Sequence, residues 1–234
     1  MKTIRTAGMF VMVVAAALQF GGCAVGSYQA RSVDLNASSP LVNPDILVKG
    51  TGDQALYRYV KPGVNAKKYD KVMIDPVLVR KDGELDNDEL ENFQKLANNA
   101  YVYLTRELEK DYRVVQVPGP GTFRVQMAII DADSSKPVRN TLSTLMPIGI
   151  GLSLVQYTAT GKQSGVGDIT VEMKITDADT GELLGAALDR RVGGKEISKL
   201  WSKWYNADDA LQYWAKRLRF VLCDMRGGGN CVKP

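Results

Sequence analysis

The stretch ITVEMKITDADTGELLGAALDRRV, residues 169–192, decides the fold class. Ile169, Val171, Met173 and Ile175 alternate with Thr170, Glu172, Lys174 and Thr176, the two-residue period of a strand with one dry face. Asp177-Ala178-Asp179-Thr180-Gly181 turns the chain, and a second strand runs from Glu182 to Val192. The two strands are expected to pair as an antiparallel hairpin. A sheet with one dry face must bury it against another layer, so the rest of the sequence has to supply helices.

Two helical patterns do so. Leu85-Asp86 opens the first, with Asp86 as N-cap, Glu89 as capping-box partner and Leu85 against Leu90 as a staple. Leu90, Phe93, Ala97, Ala100, Tyr101, Leu104 and Leu108 then recur every three or four residues, so this helix extends to about Lys110. Its solvated face carries Glu91, Lys95, Asn98, Arg106 and Glu109. Asn206 caps the second helix, whose Ala210, Leu211, Trp214, Leu218, Val221 and Leu222 line one side. Further strands are expected at 71–79, bent at Pro76, at 112–117, and at 122–130 after the turn Pro118-Gly119-Pro120-Gly121. The expected architecture is an α+β two-layer sandwich, a mixed five-stranded sheet with two main helices on one face. Its first strand-helix-strand passage should form a right-handed crossover. The sequence shows no internal repeat and no sign of a second domain.

The beginning of the chain addresses the protein. Lys2 and Arg5 precede an uncharged run from Met9 to Phe20, too short for the roughly 20 residues that cross a bilayer. Residues 1–22 therefore read as a signal peptide. Phe20-Gly21-Gly22-Cys23 resembles the bacterial lipobox, which implies acylation of Cys23, and Ala24 after it implies the outer membrane. Several acyl chains, each buried methylene contributing about 0.8 kcal/mol, would hold the protein there. Residues 23–68 are expected to be the lipidated N-terminus, a tether and irregular structure, 69–225 one α+β domain, and 226–234 a tail closed by a disulfide.

Composition removes several function classes. The 234 residues are 45% hydrophobic and 24% charged, values of an ordinary globular protein, and none is histidine. Without histidine there is no Ser-His-Asp triad, Cys-His dyad or histidine-based zinc site. Loss of Lys2 and Arg5 with the signal peptide leaves 28 basic residues against 26 acidic ones. No basic stripe interleaved with aromatics points to nucleic acid. Cys223 and Cys231, eight positions apart in an oxidising compartment, are expected to form a disulfide worth roughly 2.5 kcal/mol.

Four segments carry a resemblance: Tyr69-Asp70-Lys71-Val72, the Gly119-Pro120-Gly121 turn with its strand, the run from Thr180 to Arg191 (TGELLGAALDRR), and the late helix containing Trp214-Ala215. Together they resemble a family of proteobacterial lipoproteins classed as a domain of unknown function, over about 69–225. The resemblance implies an exported lipoprotein and brings no activity, cofactor or catalytic residue with it.

Candidate chemistry is sparse. Asp177, Asp179 and Glu182, with Asp131 and Asp133 from another strand end, are possible oxygen ligands for a cation, although an Asp/Gly turn is the ordinary way to end a strand. Arg190, between Asp189 and Arg191, suits a structural ion pair or an anionic ligand. The uncharged segment containing Leu145, Met146, Ile148, Ile150, Leu152, Leu154 and Val155 suits a buried crossover, a docking surface or a membrane contact. Trp201, Trp204 and Tyr205, among Lys199 and Lys203, read as a lid before the last helix or an interfacial cluster. The sequence thus favours a non-catalytic binding or assembly module on the periplasmic face of the outer membrane. Its partners would be the membrane, through Cys23, and an envelope protein. No metal or cofactor is assigned. A glycan hydrolase needs two carboxyl groups about 5 to 10 Å apart in a cleft. A small-ligand or lipid carrier needs a cavity of roughly 300 Å³ between sheet and helices.

Overall fold

The computed structural model describes residues 28–35, 39–81, 87–131, 144–147, 168–192 and 203–234. In chain order these form β1 (Tyr28–Gln29), β2 (Val48–Lys49), β3 (Tyr57–Val60), β4 (Lys71–Ile74), β5 (Leu78–Lys81), α1 (Asn87–Leu108), β6 (Arg113–Val114), β7 (Thr122–Asp131), β8 (Thr144–Pro147), β9 (Asp168–Asp177), β10 (Leu183–Val192) and α2 (Lys203–Met225). The strands build one mixed sheet with the path β2-β3-β10-β9-β7-β4-β6. β1 adds to β10, β5 to β7, and β8 to β5.

The class is α+β as expected, but among the described residues the sheet has ten strands rather than five. Most of the additional strands are two to four residues long, too short for alternation to register. The central hairpin is where the alternation placed it: β9 and β10 pair antiparallel from Leu183↔Thr176 to Val192↔Asp168, with an irregularity between Leu183 and Gly185. The bend at Pro76 also has a structural form. β4 pairs Ile74 with Val125 of β7 and β5 pairs Leu78 with Ala128, so Asp75, Pro76 and Val77 stand opposite only Gln126 and Met127. Proline, with no N–H to give a ladder, sits in this bulge. The Asp75 carboxylate accepts from Arg124 Nε at 2.8 Å and from Gln126 Nε2 at 3.1 Å.

The helices cover one face. Phe93, Leu96, Ala97, Ala100, Leu104 and Leu108 of α1 and Ala210, Leu211, Trp214 and Leu218 of α2 share a core with Val72, Val79, Phe123, Val125, Met127, Ile129, Val171 and Met173. The α1 pattern is confirmed apart from Asn98, assigned to the wet face but only 6% exposed. The capping residue Asp86 lies outside the described residues. α2 begins at Lys203, before the expected cap Asn206, so Lys203, Trp204 and Tyr205 lie in its first turn rather than in a lid, and Trp201 lies outside the described residues. No glycine or proline separates 203 from 206, so nothing stops the helix from extending backward.

The opposite face is not wet. Residues 33–35 and 39–47, expected as tether and irregular chain, lie across it and bring Val33, Leu35, Leu41, Val42, Ile46 and Leu47 against Ala128, Ile130, Ala186 and Leu188. β1, β2, β3 and this strap thus pack on the sheet ahead of Tyr69, where the domain was expected to begin. This strap closes over Glu172, which is completely buried. Its carboxylate accepts from Ser39 Oγ and from the Leu41 N–H, both at 2.5 Å. Burial pushes its pKa up, opposed by the Ser39 hydroxyl and the backbone N–H groups of Leu41 and Val42.

Glu172→Ala should leave these donors without an acceptor and cost about 2–3 kcal/mol. Hydrogen exchange should accelerate in residues 39–47 while the amides of α1 stay protected. Equal acceleration in both would mean that the strap and the helical layer open as one unit.

Candidate functional site

The two helices do not fill the layer evenly. Where α2 crosses β10 and β3, the sheet presents Gly185 and Ala187, which contribute almost no side-chain volume, and a cavity of about 290 Å³ remains. Its floor is Val171, Met173 and Ile175 of β9 with Leu184 of β10. Its roof is Trp214, Leu218, Val221, Leu222 and Met225 of α2. Tyr69, Tyr112 and Phe123 close one side, with Phe123 edge-on to Tyr112 at 4.9 Å and to Tyr69 at 6.0 Å. An apolar hollow with a few polar groups has the chemistry of a small-molecule site.

Its polar groups are few, and two of its carboxylates are occupied. Asp189, 4% exposed, accepts from the Trp214 indole Nε1 at 2.8 Å, Gln29 Nε2 at 2.6 Å and the Leu56 N–H at 3.1 Å. It joins α2, β1 and the β2–β3 loop at one point. Asp53, in that loop, takes Arg217 Nη1 at 3.1 Å and Lys233 Nζ at 2.5 Å. The Lys233 hydrogen bond, with the Arg217 charge, holds Asp53 below its ordinary value. Arg217 lies 5.0 Å from the centre of the Phe220 ring. Arg58 of β3 and the exposed Asp224, in the last turn of α2, complete the charged lining.

The far end of α2 is locked covalently. Cys223 and Cys231 are bonded, their Cα atoms 5.7 Å apart. Gly227 takes φ +70° and donates to the Asp224 carbonyl, while Gly228 donates to the Cys223 carbonyl, the pattern of a Schellman cap. A Cβ on Gly228 would lie 2.7 Å from Cys223 Sγ, so this position requires glycine.

The other sequence-derived candidates separate in space. Asp177 is not available to a metal. Its Oδ1 accepts from the N–H groups of Asp179 and Thr180 at 3.0 and 3.1 Å, and its Oδ2 from Lys68 Nζ at 3.0 Å and Tyr69 Oη at 2.9 Å. Glu182 is exposed and pairs with Lys61. Asp131 ends β7 whereas Phe123, near its start, is the register partner of Asp177, so the two positions lie eight residues apart along the strand, about 26 Å. Asp133 lies outside the described residues. Among the described residues no group of three His, Cys, Asp or Glu could hold a metal ion. Arg190 pairs with Asp168, and Arg191 lies 3.7 Å over the Tyr213 ring. Of the proposed docking segment, Leu145 and Met146 lie in β8, opposite Arg80 and Val79 of β5. Ile148, Ile150, Leu152, Leu154 and Val155 lie outside the described residues, as does Cys23. No helix among the described residues is long and apolar enough to cross a membrane.

Sequence reasoning named the space a carrier would need but could not locate this cavity. Gly185-Ala186-Ala187 opposite an aromatic-rich helix is the signal it left unread.

A family model, DUF3313, a protein of unknown function, matches residues 37–218. Among solved structures, the chain is similar to a DUF4136 family protein from Bacteroides thetaiotaomicron, at 15% identity and TM-score 0.37, over 75% of this chain and 98% of that one. It is also similar to the PelC dodecamer from Paraburkholderia phytofirmans, at 11% identity and TM-score 0.35, over 74% and 96%. No curated protein matches it.

Asp177 supplies a test of the hairpin. Burial raises its pKa, but the Thr180 N–H, the Lys68 ammonium, the Tyr69 hydroxyl and the Asp179 N–H outweigh that and hold the carboxyl well below its ordinary range. A depressed native pKa stabilises the fold above the unfolded value and loses that contribution as pH falls toward the native one. Asp177→Asn should therefore lower stability by about 2 kcal/mol at pH 7. The gap from wild type should narrow below about pH 4 in urea titrations. A gap independent of pH would show that the ionised form matters little.

Proposed function

Because the chain belongs to the DUF3313 family of proteins of unknown function, we propose a function from its cavity: a non-catalytic binding module that holds an apolar small molecule between α2 and the sheet. The observation that carries this reading is the 290 Å³ hollow with aliphatic and aromatic walls. That volume lies at the lower end of the roughly 300–1,000 Å³ of small-molecule sites. Binding is favoured over hydrolysis because the buried Asp189 is committed to three donors and Asp53 to two cations, which leaves the exposed Asp224 without a second uncommitted carboxylate in the lining. A general acid or nucleophile needs a carboxyl group free to meet substrate.

The sequence supports a setting for the module. The lipobox-like Phe20-Gly21-Gly22-Cys23 and the signal-peptide pattern before it support an acylated protein on the periplasmic face of the outer membrane. An exported binding module anchored in this way handles apolar molecules at the surface where they occur. An envelope protein partner, engaged through residues 145–155, is the second element of this proposal.

Two measurements test these readings separately. Val221→Trp places an indole in the cavity from its half-buried rim. Protein affinity-purified from its own host and extracted for mass spectrometry should carry an apolar molecule that the folded Val221→Trp variant lacks. Equal content in both would remove the cavity as the binding site. Metabolic labelling with an alkyne-tagged fatty acid should mark the wild type and not Cys23→Ser; label retained in the variant would place the lipid elsewhere.

A further inference from the structure

The charge on the cavity wall specifies the ligand further, and this step rests on the cavity being a binding site. Tyr57 and Tyr59 of β3 pack into the core under the N-terminal strap. Alternation then places Arg58 between them on the α2 side, where it lines the cavity. It stands opposite Ala187, which offers no polar group. Asp189, two residues farther along β10 on the same face, is committed to Trp214, Gln29 and Leu56. Asp53 is shared by Arg217 and Lys233, and Asp224 lies seven residues beyond Arg217, roughly 10 Å along the axis of α2. Among the described residues, the Arg58 side chain has no hydrogen-bond or ion-pair partner. With no acceptor supplied by the protein, the Arg58 guanidinium at the cavity wall is open to an anion brought by a ligand, which its planar fork can hold as a bidentate pair.

We propose that the cavity takes an amphiphile with one apolar chain and an anionic head, the chain lying between α2 and β9 and the head, carboxylate or phosphate, on Arg58. A volume of 290 Å³ suits one chain rather than two. The same chemistry is offered by a free fatty acid and by a single-chain phospholipid.

The experiment is photo-cross-linking on the full chain in its native membranes, with diazirine-tagged palmitate, lysophosphatidylglycerol and the uncharged hexadecanol, followed by peptide mapping. In the wild type, the anionic probes should label peptides of α2 and β9 and the alcohol should label them several-fold less. Arg58→Gln should reduce anionic labelling about tenfold, Arg58→Lys should retain most of it, and Val221→Trp should abolish labelling by every probe. Preference for palmitate or for the lysolipid identifies the head as carboxylate or phosphate, and either supports the proposal. If all three probes label equally and Arg58→Gln changes nothing, the head-group assignment is wrong while the cavity reading stands. If no probe labels these peptides, or Val221→Trp is without effect, the cavity reading fails and the assignment with it. Thermal melting of each variant shows whether loss of label follows loss of fold.

Discussion

Burial of the central strand β9 on both faces is the constraint from which the rest of the architecture follows. One face carries Ile169, Val171 and Met173 and is satisfied by the helical layer. The other carries Thr170, Glu172 and Thr176, none more than 9% exposed. Threonines tolerate burial in a sheet, but a buried glutamate needs donors. The chain supplies them from residues 39–42, and the strap that brings them also carries the aliphatic side chains that dry β7 and β10. A segment that looks like a tether by composition is thereby a structural layer.

The parts of this fold that the sequence reveals are those whose information is local. The β9–β10 hairpin rests on eight alternating residues and an Asp-rich turn, and α1 on seven apolar positions at helical spacing. Cys223 and Cys231 were legible as a pair because they stand eight positions apart and two thiolates in a chain without histidine do not complete a metal site. β1, β2 and β3 were not, because strands of two to four residues exist only through their partners; Tyr57–Val60 becomes a strand because β10 offers it an edge. Glu172 reads as a wet-face residue until the strap is known. The cavity is the least legible feature, since it consists of volume that side chains leave empty and is fixed by how far α2 stands from the sheet.

That standoff has identifiable causes. A helix over glycine and alanine would ordinarily settle toward them, because an unfilled apolar space costs dispersion contacts along its whole lining. Here α2 is held at three levels. Near its start, Asp208 accepts from Asn99 Nδ2 at 2.8 Å and Tyr103 Oη at 2.7 Å, fixing it to α1. In the middle, the Trp214 indole is bonded to the buried Asp189. At its end, the Schellman cap and the disulfide close the last turn, and the Arg226 guanidinium lies 4.9 Å over the Tyr112 ring.

Each of these attachments is polar or covalent and geometrically specific, whereas the attraction that would close the cavity is diffuse. Moving α2 toward Gly185 and Ala187 would push the Trp214 indole into Asp189, already at 2.8 Å on the same strand, so the ring would have to turn away and leave a three-donor carboxylate partly satisfied, a loss of about 1–3 kcal/mol for each buried group affected. The cavity is therefore the residue of a conflict that the polar contacts win. The same commitment of carboxylates leaves Arg58 without an internal acceptor among the described residues, so the opening and its cation have one origin in the way Asp189 and Asp53 are spent.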